Sequence, residues 1–453
     1  MKNRLVWILA ACGLLSGALI APAMAQKVWT GSMDEDWQLA GNWNPSGVPA
    51  ASDPVVIDGP EGTTWPRLEQ ATGLAQSLVL GQAQRGRLTL GQTAVLTAQS
   101  LLLAEQAGSD AELVIEGVVG GQLDLPAVIG GSGDARLVFR HNQSNYEFRR
   151  PSGTPVDTSG SLMLVQDQFF ATRLLGQHSH TGGTRVRRGD LDLFGGQLIH
   201  PAVALEVAPE AFDIGALFIR NGAQADVGPT LVAGASGSFA NLQVGPNTTL
   251  DINGLLAAGV SGTAFVDATG GVLTAQAVSL GSNLPESGQA QLNVLGASGR
   301  VFVSGDVDLG GPAGLARYAI SSGGQSEIGG DLRVGVGAGG RAELALGVVA
   351  SLTVDGQLGL DNLATLHLEI DTFSHPVIQV ASVLIAPGAA LQVPDPTDPP
   401  DPGSSFVVLE APGGISGTFG TVSLPVGWSL IQESTRLLVA LALADEIFAD
   451  RFE

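Results

Sequence analysis

Three histidines, His178, His180 and His200, lie close enough in sequence for a repeating fold to bring them together. Imidazole is a common ligand of zinc and copper. On an extended segment His178 and His180 share a face, and His200 falls about one coil away. No HExxH-type helix accompanies them, and a turn motif already accounts for their position, so no metal ligand is assigned. Paired carboxylates offer a second chemistry. Asp190/Asp192 and Asp306/Asp308 would stand ~7 Å apart by i,i+2 strand geometry, inside the ~5–10 Å that glycoside hydrolysis requires. Both pairs sit in plain alternating segments with no neighbouring aromatic, histidine or lysine. A GxSxG nucleophile turn and a phosphate-binding Gly loop leading into a helix are absent. The expectation is therefore no catalytic, cofactor-binding or metal residue.

Three further groups have a chemical and a structural reading. Gly130-Gly-Ser-Gly-Asp134 is similar to a calcium-binding nonapeptide, but the Asp comes one residue early and no second copy follows. Arg185, Arg187 and Arg188, with Arg149 and Arg150 upstream, could grip an anionic glycan or an acidic partner; on an alternating strand they read as a solvated face. Trp29, Trp37, Trp43 and Trp65 could stack on sugars. The first coil of a stacked fold has an open apolar end, however, and Trp29, Trp37 and Trp43 are expected to cap it, with Trp428 capping the other.

The elements that would carry these residues follow from composition. Glycine is abundant at 63 residues, while aromatic residues make up 5% and charged residues 14% of the 453. Such a chain lacks the large rings that fill ordinary enzyme cores and suits many short strands with tight turns. The net charge of −22 speaks against nucleic acid and anionic lipid as partners, since both bind through Lys and Arg. Residues 1–25 read as a signal peptide: Lys2 and Arg4, an apolar run over 5–20, and Ala23-Met24-Ala25 as the cleavage site. Leu9-Ala10-Ala11-Cys12 resembles a lipobox, but the apolar run continues past Cys12, and cleavage after Ala25 would remove the only cysteine. No later segment is long enough to span a membrane as a helix.

Period-two alternation recurs along the chain, and helical periodicity is nearly absent after residue 26. Strand-ending glycines at Gly81, Gly130, Gly245, Gly281, Gly310, Gly335 and Gly359 mark a drifting repeat in the twenties. In Val301–Leu309, Val301, Val303, Val307 and Leu309 should point inward, Asp306 and Asp308 outward, with Gly305 at a turn. Propeller blades need longer repeats and aromatic signatures, and immunoglobulin tandems need core Trp and hairpins. An all-β parallel β-helix remains, a rod of roughly 70–80 Å at ~4.8 Å per coil.

The stretch 178–193 resembles the passenger-associated transport repeat of bacterial autotransporters: a Gly182-Gly183-Thr184 turn, a strand, Gly189, and a strand carrying Leu191 and Leu193. His180 stands where that repeat usually has an aromatic. Trp29-Thr-Gly31, Asp36-Trp37, Asn42-Trp43, Gly47-Val-Pro49, Asp53 and Val55-Val-Ile57 look like a passenger start, and Gly403-Ser-Ser-Phe-Val-Val-Leu409, Gly417-Thr-Phe419 and Leu424-Pro-Val-Gly-Trp428 like a passenger end. The resemblance implies a right-handed parallel β-helix on a Gram-negative surface. The family's C-terminal barrel has no counterpart here, so export would need another route. The expected organisation is a signal peptide (1–25), a Trp-rich cap with the first coils (26–66), β-helix coils (67–394), a Pro/Asp-rich loop (395–403), C-terminal coils and cap (404–444) and an acidic tail (445–453). The expected function is a secreted or surface-displayed, non-enzymatic adhesin-like or matrix protein that binds a surface glycan or protein; it would be periplasmic without further export. A polysaccharide lyase or hydrolase on the same fold is the alternative.

Overall fold

The computed structural model describes residues 25–281, 288–311, 314–337, 339–372 and 374–442. The signal-peptide reading over 1–24 and the tail over 445–453 lie outside the described residues. Strands make up 56% and helix 1% of the chain, which forms a parallel β-solenoid of about 14 turns. At ~4.8 Å per turn this is a rod of roughly 65–70 Å, slightly shorter than expected because both ends use residues that do not stack.

Each coil contributes one strand to each of three parallel ladders. The first ladder runs through Pro54–Ile57, Ser77–Leu80, Ser100–Leu103 and so on to the start of Val377–Ile385. The second includes Arg85–Leu90, Asp110–Gly117, Leu205–Val207, Thr230–Val232 and Leu332–Val334. The third includes Tyr146–Phe148, Thr172–Leu174, Ile214–Arg220, Phe239–Val244, Thr263–Thr269, Gln289–Leu295, Leu315–Ser321 and Arg341–Leu346. Alternate residues point inward, so one apolar core runs the length of the rod through columns such as Leu250, Leu273 and Val301. Val301, Val303, Val307 and Leu309 are buried and Asp306 is exposed, as the alternation predicts.

Small residues build the corner from the second ladder to the third. Gly259, Gly281, Gly310 and Gly335 each have φ between +64° and +90°. They lie against Ala290, Ala316, Ala342 and Ala364 of the following coil, so both partners must be small. Gly359 departs from the strand-ending reading: it lies inside the strand Ser351–Leu360. Gly305 has no left-handed backbone; a Cβ there would stand 2.7 Å from the Gln276 carbonyl oxygen, so close approach selects glycine.

The coil holding the Gly-Gly-Thr turn marks a change in cross-section. His178 pairs with Thr158 and Leu198, an offset of 20 residues on each side, against 26 between Gln289, Leu315 and Arg341. Before this seam the second-ladder strands are long, as in Asp110–Gly117; beyond it they shrink to pieces like Leu205–Val207, and the third ladder takes the long strands. Thr184–Phe194 spans both ladders without a break. Gly183 (φ +85°) and Gly189 (φ +71°) are left-handed, Gly182 has the Leu162 carbonyl 2.5 Å from where a Cβ would stand, and Thr184, Leu191 and Leu193 are buried.

Both ends depart from the parallel stack. Lys27–Trp29 pairs antiparallel with Trp43–Asn44. Trp29, Trp37 and Trp43 are buried there, edge-on at 4.9 and 4.8 Å between ring centroids, and Trp43 Nε1 donates to the Trp37 carbonyl at 2.8 Å. At the other end Ser405–Glu410, Arg436–Leu441 and Trp428–Gln432 form an antiparallel meander, with Trp428 half-buried against Phe406. This antiparallel sheet pairs the last strand of the first ladder and shields that edge from pairing with another chain.

Candidate functional site

The three histidines face inward. His178, His180 and His200 are buried in the first ladder, and the His180 and His200 rings stack 5.2 Å apart at 27°. An imidazole binds metal in its ring plane, so two nearly parallel rings do not converge on one ion. Among the described residues no His, Cys, Asp or Glu grouping has metal-binding geometry. Instead the seam holds a polar core. Thr172 Oγ1 donates to Gln166 Oε1 at 2.7 Å and lies 2.7 Å from His141 Nε2, while His178 Nδ1 is 3.2 Å from Thr158 Oγ1. Both His180 nitrogens lack a partner. Burial drives the imidazole pKa values down, to about 3 for His178 and His180 and about 4 for His141; the neighbouring His200 and His178 lower His180 further.

Of the carboxylate pairs, Asp306/Asp308 is held by an arginine, while in Asp190/Asp192 only Asp192 has an ion pair among the described residues. Arg333 of the next coil reaches Asp308 at 2.6 Å and Asp306 at 3.1 Å. Asp192 is buried beside Arg173 at 3.1 Å, and Asp190 has its pKa raised by burial, opposed by Arg220 and reinforced by Asp192. Most of the basic concentration is paired too, while Arg188 is exposed with no ion pair among the described residues. Arg187 contacts Glu210 at 2.7 Å and Asp167 at 3.4 Å, Arg185 pairs with Glu206, Arg149 with Glu147 and Arg150 with Asp124. Gly130 to Asp134 lie within the strand Ala127–His141, where no calcium turn forms.

A concavity lies elsewhere, on the outer face of the third ladder. Thr263, Gln289, Leu315 and Arg341 form one outward column by register; Phe265, Gln291, Arg317, Glu343 and Thr365 form the next. With Asn362, Leu363 and Gly388 at its lip they enclose an open groove of about 610 Å³. It runs along the rod axis, across the strands. Arg317 Nε lies 3.2 Å from Glu343 Oε1, whereas Arg341 makes no ion pair among the described residues. A third column continues the polar surface: Gln291 Nε2 donates to Asn293 Oδ1 at 2.7 Å, and Asn293 Nδ2 to Asp267 Oδ1 at 2.6 Å. Aromatic face, amides and the Arg341 guanidinium equip the groove for recognition. Its one carboxylate, Glu343, is held by Arg317, which leaves no pair for acid/base work.

No family model and no curated protein matches this chain in sequence. Sequence reading did not single out Phe265, Gln291, Arg317, Arg341 or Glu343. The signal was present: Gly288-Gln-Ala-Gln-Leu, Gly314-Leu-Ala-Arg-Tyr and Gly340-Arg-Ala-Glu-Leu repeat at 26 residues, with Ala fixed by the glycine corners and the residues flanking it facing out.

Proposed function

We propose that this protein works by binding and not by turnover. It is an exported or surface-displayed β-solenoid, autotransporter-passenger-like in its repeats, that acts as an adhesin-like or matrix component through the third-ladder face. The observation that carries this reading is the pairing of an open, mixed polar and apolar groove with carboxylates that are tied to arginines. A rigid stack suits the role because it holds rows of side chains at a fixed ~4.8 Å repeat. A hydrolase on this fold would use the same groove but would need a second carboxylate beside Glu343, and the nearest columns supply amides and arginines there.

Incubating the purified exported protein with Gram-negative cells and with their extracellular matrix tests the reading. Protein should be retained on one of these surfaces while reducing ends and unsaturated products stay at background. Reproducible product release, abolished by Glu343→Gln, would replace this reading with the glycan-active one.

A further inference from the structure

We infer that the third-ladder groove takes a linear glycan lying along the rod axis, built of neutral sugars with spaced carboxylates. This rests on the binding reading and adds the ligand class. Six rungs, from Thr263 to Ala390, line the groove, and at ~4.8 Å per rung they span about 24 Å, the length of a short extended oligosaccharide. A peptide is disfavoured by the backbone. Every strand under the groove is paired on both sides by its neighbours, so there is no free edge for an added strand. Recognition must come from side chains.

Those side chains are ordered by chemistry. Toward one end Phe265 offers a ring face, with Gln289 and Gln291 on the following rung; an aromatic face meets the C–H side of a pyranose, and amides both donate to and accept from hydroxyls. Toward the other end Arg317 is partly neutralised by Glu343, and Arg341 has no ion pair among the described residues. A guanidinium without an anion is a carboxylate site. The charge of the whole chain, −22, sets the limit: a uronate at every position would be repelled, and so would a second acidic copy of this chain.

Calorimetric titration with a hyaluronan hexasaccharide, in which uronates alternate with neutral sugars, tests this. Its carboxyl-reduced form and a hexameric oligogalacturonate serve as comparisons. The alternating probe should bind best. Arg341→Gln should weaken it about tenfold while leaving the reduced form unchanged, Phe265→Ala should weaken both, and Asp251→Asn on the first ladder should change neither. Absence of binding by all three probes, or binding insensitive to both groove substitutions, would overturn the glycan assignment. The two readings fail separately: a protein that ignores every probe but still loses cell adherence on Gln291→Glu has a binding groove for another ligand. Adherence indifferent to Gln291→Glu removes both.

Discussion

At the residue scale, a glycine's neighbours decide what it contributes. Gly183 combines a left-handed backbone with a carbonyl oxygen of Ala204 only 2.7 Å from where a Cβ would stand. Gly62 has a similar φ of +91° with open space around it. Gly183→Val should therefore destabilise by roughly 1–3 kcal/mol, and by more than Gly62→Val, in paired chemical denaturations; equal losses would mean that the close approach is not felt. Arg333, by contrast, is exposed and pairs with exposed or half-buried aspartates. Arg333→Ala should shift stability by less than about 1 kcal/mol, and a larger loss would show that the Asp306/Asp308 cluster is held more tightly than its exposure suggests.

The seam is the element on which pH should act. Burial holds the His178 and His180 pKa values at about 3 and lowers His200 from its ordinary value. Unfolded histidine titrates near ~6.5, so below that pH the unfolded chain binds more protons than the folded one. Stability contributed by the neutral histidines is thus complete above ~6.5 and falls as pH drops toward about 3, by up to about 1.4 kcal/mol per unit for each. Between pH 6.5 and 5 most carboxylates remain ionised, so the buried histidines, His141 among them, carry the slope. Urea midpoints should fall across that window, and His178→Leu/His180→Leu/His200→Leu should flatten the profile; an unchanged slope would exclude these histidines as its source. The same element shows what the sequence could reveal. Alternation placed Val301 to Leu309 correctly because apolar and polar residues take turns there. In Gln177–His180 all four residues are polar, so alternation carried no information about which face was inward, and the burial of His178 and His180 was not legible. Gly182 and Gly183 precede the strand Thr184–Phe194 as a double-Gly turn implies, whereas Gly189, read as a break between two strands, is a left-handed residue inside that one strand. The switch of long strands from the second ladder to the third was not legible, since it arises from stacking register between coils.

On the scale of the whole molecule, three ladders share one core but present different outer faces. The second ladder covers its valine row, Val114, Val138 and Val165, with interlocked arginines and acids such as Arg140–Asp167. The third leaves Phe265, Gln291 and Arg341 open. The 26-residue repeat behind that groove is written in the sequence, but which outward residues it lines up in columns follows only from the pairing register. Its functional weight can be measured directly by following adherence to intact cells across one substitution per face: Asp251→Asn on the first ladder, Arg185→Gln on the second and Gln291→Glu on the third. Loss confined to Gln291→Glu, with all variants melting like the parent, is the predicted result; equal adherence by all, or loss centred on another ladder, would contradict a third-ladder binding face.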